Sequence, residues 1–270
     1  MYLTLPHWLV VGGGIAFSIL GVIIIRRFVP YEKLHENNEF TGFAYQIIGL
    51  IYGIYLAFTV VVVWQQYEDA EETATTEAVH ISVLWRDSQQ LRPEDRERIQ
   101  LAMHVYVQSV ICKEWPSLEA GNGSDPNTLR AYESLWNAYY MAKPDPNDPV
   151  QIAFYNQSVD ELNDLAMARR LRLLSADAAL PGVMWHLLIA GAIGTIIFTW
   201  FYATKYATVQ LTVTAFLSII IVYSVMLVSV LQHPFAGEVR VTPEAFMSIR
   251  KSFIERRAFY HLPPINAGCN

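Results

Sequence analysis

Charged residues are scarce in this sequence. Asp, Glu, Lys and Arg make up 16% of its 270 residues, whereas a soluble globular domain carries about 25%. The deficit is concentrated in four segments that contain none of these residue types: 1–25, 40–67, 178–204 and 206–237. A helix needs about 20 apolar residues to cross a bilayer. The sequence therefore predicts four spanning helices, at roughly 8–27, 42–65, 182–204 and 207–231.

Cysteine is also rare. Cys112 and Cys269 lie far apart and form no C-x-x-C pattern, so the sequence suggests neither a disulfide framework nor a zinc site, and we expect two free thiols. The formal net charge of −6 argues against nucleic acid as a partner.

Signal-peptide and enzyme motifs are missing from the sequence as well. Arg26 and Arg27 follow the first apolar run instead of preceding it, which is the wrong charge order for a signal peptide, so this segment is predicted to be a retained helix. The stretch LVVGGGIAFS at 9–18 imitates a dinucleotide-binding turn but lacks the flanking strands, and its glycines are better explained by close helix packing in lipid. No catalytic triad, nucleophile elbow or phosphate loop is visible, so neither an enzyme nor a cofactor is predicted.

Residues 66–177 form the one large polar block of the sequence. This block has no convincing strand alternation and is predicted to be helical. Pro93 opens one helix, which stops before Pro116, and two others span about 127–142 and 149–175. Near the C-terminus Pro243 starts a last helix, and its Phe246, Ile249 and Phe253 share one face. The final residues, HLPPINAGCN, are expected to be loose.

The fold class predicted is therefore all-α, a four-span membrane protein with a helical extramembrane module between the second and third spans. The predicted divisions are 1–65 for the first two spans, 66–177 for the module, 178–231 for the last two spans and 232–270 for the C-terminal segment.

The second span is unusually long. Residues 40–67 contain 28 uncharged positions, roughly 42 Å of helix against a hydrocarbon core of about 30 Å. The helix must therefore tilt strongly or project from the membrane.

Two stretches resemble bestrophins, the pentameric ion channels of animals and bacteria. In GIYLAFTVVVVWQQYE (53–68) the positions that match the second bestrophin helix are Gly53, Tyr55, Val60, Trp64, Gln66, Tyr67 and Glu68. HPFAGE (233–238) is similar to the segment after the last bestrophin span, through Pro234, Phe235, Gly237 and Glu238. The whole chain more closely resembles the bestrophin-like family of mostly bacterial membrane proteins, through ATTEAVHISVLW, KEW, ARRLRLLSADAALPGVMW and HPFAGEV.

The resemblance implies a homo-oligomeric ring, with a pentamer favoured and a tetramer possible, in which the second helix surrounds a central pore for monovalent ions. The bestrophin neck positions correspond here to Gln46, Leu50 and Ile54, and Ala57 and Val61 continue the same stripe. Because Gln46 is polar, it is assigned to the pore mouth, and the other four residues are assigned to the neck.

Charges after the neck modify this expectation. Glu68 and Glu72 continue the stripe into a predicted acidic vestibule, and rings of Glu concentrate cations, so we expect a weak preference for monovalent cations. Bestrophins hold calcium with an acidic run after the Pro-Phe-Gly-Glu segment, but here Glu238 is followed by VRVTP, so no calcium site is predicted.

An alternative function fits the same pattern. An apolar stripe on a membrane helix commonly packs on neighbouring helices, and an acidic helix face is commonly just solvated. The chain would then be a membrane-anchored sensor or scaffold, whose helical module binds a partner and which has no conducting pore.

Three further groups of polar residues are candidate sites. Glu77-x-x-His80 has the i, i+3 spacing of di-iron helix bundles, but the other inward glutamates are not evident, so no metal site is predicted. His186 and His233 lie near or within spans and are explained best by hydrogen bonding or headgroup contact.

Two roles remain open for Arg169, Arg170 and Arg172: binding lipid phosphates, or pairing with the acids that extend the second span.

Basic residues near the spans decide orientation weakly. On the side of the short loops lie Arg26, Arg27, Lys33 and Lys205; on the module side lie Arg169, Arg170, Arg172, Arg240, Arg250 and Lys251. This majority, with the resemblance, predicts a protein of the bacterial inner (plasma) membrane whose module and both termini are cytoplasmic. Membrane lipid is its other expected partner.

Overall fold

The computed structural model describes residues 7–265 and 268–269, and within them the chain is all-α. The helices in chain order are α1 (His7–Phe28), α2 (Tyr31–Glu36), α3 (Asn38–Ser88), α4 (Pro93–Ser109), a π-helical turn (Val110–Glu114), α5 (Trp115–Glu119), α6 (Pro126–Tyr140), α7 (Pro149–Ala176), α8 (Gly182–Phe201), α9 (Ala207–Leu231) and α10 (Glu244–Phe259). The predicted all-α class is confirmed.

The chain divides into two compact units. The first, called the membrane unit, comprises Met1–Gln65 and Ala179–Gln232; the second, called the helical module, comprises Gln66–Ala178 and His233–Asn270. Four helices in the described residues are long and apolar enough to cross a membrane: Trp8–Phe28, Asn38–Ser88, Gly182–Phe201 and Ala207–Leu231. The predicted count of four spans is confirmed.

Small polar side chains contribute much of the packing in the membrane unit. Ser18 and Ser218 are buried and hydrogen-bonded to each other, and Ser18 also donates to the Gly14 carbonyl 2.7 Å away. Hydroxyl groups that bond within or across helices are well suited to lipid, which offers no hydrogen bonds of its own. Much of the apolar surface of this unit is left exposed, as at Phe216 and Ile220.

Glycines allow several of these helices to approach closely. A Cβ atom on Gly21 would lie 2.0 Å from the Trp200 ring, and one on Gly14 would lie 2.6 Å from Val222. The packing role predicted for the glycine triplet is thus confirmed for Gly14. A Cβ on Gly12 or Gly13 would meet nothing within 4 Å.

The third span ends earlier than predicted, at Phe201 instead of residue 204. Asn38 explains the difference, because its side-chain amide donates to the Ala203 carbonyl at 2.6 Å and accepts from the Ala203 amide at 3.0 Å. Arg26 donates to the Thr204 carbonyl at 2.6 Å. These side chains satisfy backbone groups beyond the helix end, so the helical hydrogen-bond pattern need not continue.

Asp-Pro pairs start two helices of the module. Asp125 accepts from the amides of Asn127 and Thr128 before Pro126 opens α6, and Asp148 accepts from Val150 and Gln151 before Pro149 opens α7. An N-cap carboxylate with proline in the first helical turn satisfies free amides and fixes the start of a helix.

The core of the module is aromatic. Trp85 stacks on Phe253 with ring centroids 3.9 Å apart, and Trp115 packs at 5.6 Å from Phe246. Phe246 and Phe253 are fully buried, and Ile249 packs against the same core. The face predicted for the last helix is therefore confirmed.

The prediction that a helix stops before Pro116 is wrong. After α4, the chain makes a π-helical turn, in which the Trp115 amide donates to the Val110 carbonyl, and it continues as α5 to Glu119. Pro116 then occupies the first turn of α5, where its missing N–H costs no helical hydrogen bond.

The prediction of two free thiols is also wrong, because Cys112 and Cys269 form a disulfide within the module. Hydrogen bonds also hold the described residues of the C-terminal tail against the module. Arg257 donates to the Pro263 carbonyl at 2.8 Å, and Gln108 donates to the Gly268 carbonyl. Residues 266–267 and 270 of the tail predicted to be loose lie outside the described residues.

Candidate functional site

The predicted neck residues lie on one exposed face of α3. Leu50 is 65% exposed and Ile54 50% exposed, and Ala57 and Val61 are exposed as well. The opposite face packs inside the membrane unit through buried residues such as Tyr52. The described part of the chain therefore leaves the predicted neck stripe uncovered.

Gln46 is exposed and also borders a cavity within the membrane unit. This cavity has a volume of about 360 Å³, and Tyr45, Thr199 and Gln210 are among its other lining residues. Gln210 is buried, its amide group lies 3.4 Å from the Thr199 carbonyl, and its carbonyl oxygen has no hydrogen-bond partner among the described residues. The mouth position predicted from the sequence is thus next to a mainly apolar cavity of the same chain, in which Gln210 is a buried polar group.

The predicted vestibule residues belong to the helical module. Glu68 and Glu72 are exposed, whereas the other side of the same turns of α3 packs into the core through Ala70, Ala74 and Ala78. Alanine lets neighbouring helices approach this side closely. The carboxylates consequently lie on the face of α3 that the module does not cover.

The HPFAGE segment has a structural role. Phe235 is buried, with its ring centroid 5.5 Å from that of Trp115, and Pro234 accepts a hydrogen bond of 2.7 Å from the Val241 amide. Gly237 has a φ of +96°, in the region where a side chain is strained. The motif therefore shapes a tight loop against the module core, with Glu238 exposed at its end.

The other motif residues on α3 differ in their contacts within the chain. The Tyr55 hydroxyl donates to the Met184 carbonyl at 2.7 Å within the membrane unit. Tyr67 packs on the module core, whereas Trp64 is exposed. A Cβ atom on Gly53 would have no neighbour within 4 Å.

Sequence reasoning missed most of a buried charge cluster in the module. Arg172 is 0% exposed and lies between two carboxylates: its Nε donates to Glu77 at 2.6 Å, and its Nη2 donates to Glu114 at 2.6 Å. Arg169 donates to the other oxygen of Glu114 at 2.7 Å. Two guanidinium groups thus neutralise two carboxylates away from water. One of the two roles proposed for these arginines, pairing with the acids that extend the second span, is confirmed for Arg172.

Burial and charge act against each other in this cluster. Burial alone would lower the pKa of Arg172, but the charges of Glu77 and Glu114 outweigh it and raise that pKa. Tyr106 donates to Glu77, and burial together with the Glu77 charge raises the pKa of its hydroxyl well above the ordinary value. The guanidinium of Arg172 and the phenol of Tyr106 therefore keep their protons at neutral pH.

The signal for this cluster was present in the sequence motifs. Glu114 comes from the KEW run, and Arg169 and Arg172 come from the ARRLRLL run. Both runs carried the resemblance to the bestrophin-like family. The two runs do not show which of these residues pair. Glu114 lies in the π-helical turn, which no local pattern predicted, so the direction of its side chain could not be inferred from the sequence.

Comparisons with known proteins agree with this fold. The model of the Bestrophin-like domain matches residues 12–246. Crystal structures of a bacterial bestrophin homologue from Klebsiella pneumoniae match at a TM-score of 0.72 for one variant, with 15% identity over 91% of this chain and 98% of the other, and at 0.70 for a second variant, with 16% identity over the same shares. The structure of that homologue solved by Zn-SAD phasing matches at 0.68, with 15% identity over 93% and 98%.

No curated protein matches this chain. The solved structures share its fold at low identity, whereas the domain model covers most of its length. Its four apolar helices are long enough to cross a bilayer. The chain is therefore an integral membrane protein that belongs to the bestrophin-like family.

Proposed function

We propose that this protein is a homo-oligomeric ion channel in which α3 lines a central pore. The observation that carries the proposal is the uncovered apolar stripe of α3, with Leu50 and Ile54 as its main residues. Family membership supports the same function. Apolar rings of this kind close a pore by expelling water from a narrow constriction.

The neck is assigned to Leu50, Ile54, Ala57 and Val61, and the mouth to Gln46. Glu68 and Glu72 form an acidic vestibule that attracts cations and repels anions. We therefore propose a weak preference for monovalent cations, in a ring for which five subunits are favoured and four are possible.

Flux through reconstituted protein tests the neck. Replacing both side chains, Leu50→Ala with Ile54→Ala, widens and weakens the apolar constriction, so ion flux into liposomes increases. The matched control is Leu227→Ala with Ile220→Ala on α9, which removes the same two side-chain types at exposures of 45% and 47%. An increase in the neck variant alone supports the proposal; unchanged flux in a correctly inserted neck variant contradicts it and leaves the anchored scaffold.

Reversal potentials in a KCl gradient test the vestibule. Glu68→Gln with Glu72→Gln removes the proposed acidic rings, so the preference for cations over anions falls. Glu94→Gln with Glu133→Gln removes the same charge from other exposed positions of the module and leaves selectivity unchanged. Equal reversal potentials in all three proteins would refute the acidic vestibule.

We also propose that the protein is inserted in the bacterial inner membrane with the module in the cytoplasm. The larger number of basic residues near the spans on the module side supports this placement. The disulfide opposes it, because cytoplasmic thiols are kept reduced, so the state of the two thiols in cells decides between the two sides. Cys112 and Cys269 are the only cysteines, so protein denatured directly from cells carries two maleimide adducts if the module is cytoplasmic. No adduct without prior reduction would place the module outside the cytoplasm.

A further inference from the structure

Three side chains that form no part of the buried charge cluster meet on the module. His80 of α3 lies with its Nδ1 2.7 Å from Oε1 of Glu161 on α7. Asp164 completes the group: a ring nitrogen of His80 and one carboxylate oxygen each of Glu161 and Asp164 all lie within 4.8 Å of one another. The group combines an imidazole nitrogen with two carboxylates, a set of ligands that metal ions use.

Helix geometry brings these groups together. Glu161 and Asp164 are three residues apart on α7, so both project from one face of that helix, and His80 meets them from α3. Glu77, the residue that the sequence spacing had paired with His80, is not available because Arg172 and Tyr106 bind both of its carboxylate oxygens. The partners of His80 therefore come from a helix more than 80 residues away in sequence.

Solvent access at this group suits an exchangeable ion. The side chains of His80 and Glu161 are 21% and 17% exposed, and Asp164 is exposed. Three protein ligands at a partly open position leave room for water to complete the coordination of a metal. Around an ion with bonds of about 2.0–2.2 Å the ligand atoms must draw together, and the exposed Asp164 side chain is free to rotate for that purpose.

The chemistry of the ligands selects the ion. Imidazole is an ordinary ligand for zinc and other first-row transition metals, whereas Mg²⁺ and Ca²⁺ are held by oxygen ligands. The two carboxylates offset the charge of a divalent ion. We propose that His80, Glu161 and Asp164 form a binding site for a divalent transition-metal ion and that the bound ion links α3 to α7. Zn²⁺ is the probe for this site. The site does not depend on whether the protein conducts ions.

Zinc binding by the full-length protein tests the proposal. Tag-free protein in detergent, stripped with EDTA and dialysed, is titrated with Zn²⁺ by calorimetry, and its bound zinc is counted by elemental analysis. One ion binds per chain. The double variant Glu161→Gln with Asp164→Asn keeps the side-chain shapes but loses two ligands. Its affinity for Zn²⁺ therefore falls by at least about tenfold, because the loss of a residue that only supports a metal ligand already costs about 10–100-fold in metal affinity.

The matched control is Asp160→Asn, which removes one carboxylate from an exposed position beside Glu161 and leaves zinc affinity unchanged. Zn²⁺ also raises the thermal unfolding midpoint of the wild type and of this control, but not of the double variant, because an ion that binds only the folded state stabilises it. Circular dichroism verifies that each variant is folded. His80→Asn supplies a second variant with the same expected loss.

Two results would overturn the site. One is the absence of a stoichiometric zinc ion in the wild type. The other is equal zinc affinity in the wild type, the double variant and His80→Asn, which would assign the bound zinc to other histidines or carboxylates.

Discussion

The helical module buries its largest side chains, whereas the membrane unit exposes many of its own. The largest fully buried side chains of the described residues, Trp85, Trp115, Arg172, Arg257, Tyr106, Tyr139, Phe235, Phe246, Phe253, Ile81, Leu84 and Ile99, all belong to the module. In the membrane unit, only 17–28% of the most apolar 18-residue segment of each spanning helix is buried within the chain. The module thus has a core of its own, while the membrane helices leave most of their apolar surface uncovered within the chain.

The difference follows from the two solvents. In water, burial of aromatic surface stabilises the module, and it supports a desolvated charge cluster whose members satisfy one another. In lipid, apolar side chains gain little from leaving the surface, and close contacts at small residues hold helices together. Each unit therefore has its own most damaging kind of substitution.

The largest expected effect is the loss of Arg172. Arg172→Ala leaves Glu77 and Glu114 buried with fewer positive partners, and breaking a buried ion pair costs about 3–5 kcal/mol. The exposed Arg240–Glu119 pair, at 3.2 Å, is the control, because a surface pair is worth about 0–1 kcal/mol. Thermal unfolding of the detergent-solubilised protein measures both variants; similar midpoints for Arg172→Ala and Arg240→Ala would contradict a structural role for the buried cluster.

A smaller effect is expected from closing a helix contact in the membrane unit. Gly21→Ala places a methyl group 2.0 Å from the Trp200 ring, and overpacking of this kind costs about 1–3 kcal/mol. Gly12→Ala on the same helix meets nothing within 4 Å and is expected to be harmless. The fraction of protein that stays monodisperse after heating distinguishes the two, and equal fractions would contradict close packing at Gly21.

The smallest effect is expected at the start of α6. Burial alone would raise the pKa of Asp125, but hydrogen bonds from Thr128 and Asn127 outweigh it and lower that pKa. The carboxylate therefore stabilises the fold above its unfolded pKa, and this contribution is lost as the pH falls through the lowered folded pKa. Asp125→Ala costs about 1 kcal/mol at neutral pH.

The sign of this pH dependence is itself a test. The difference in unfolding free energy between wild type and Asp125→Ala shrinks as the pH falls below about 4, the usual pKa range of Asp. Asp125→Asn, which keeps a capping oxygen without the charge, loses less than the alanine variant at neutral pH. A difference that grows on acidification would contradict the capping role.

Local patterns predicted most of the fold. Runs without charge marked the four spans, Pro93 marked the start of α4, and helical spacing placed Phe246 and Phe253 on one face of α10. These features depend on neighbours within one or two turns of a helix. Hydrophobic periodicity reports such neighbours well.

Long-range pairings were beyond local patterns. The Cys112–Cys269 bridge spans 157 residues, and His80 meets Glu161 instead of the Glu77 that its spacing suggested. The π-helical turn was missed because Pro116 looks like a helix stop when its neighbours in space are unknown. The pore assignments at Gln46, Leu50, Ile54, Glu68 and Glu72 remain predictions, since they concern contacts between copies of the chain.

The most direct test of the proposed pore is single-particle imaging of the full-length protein in a lipid nanodisc, at a resolution that orients side chains. The proposal predicts a closed ring, with five copies favoured, in which Leu50 and Ile54 of every copy face the symmetry axis. A monomer or dimer, or a ring with these two side chains turned to lipid, would contradict it.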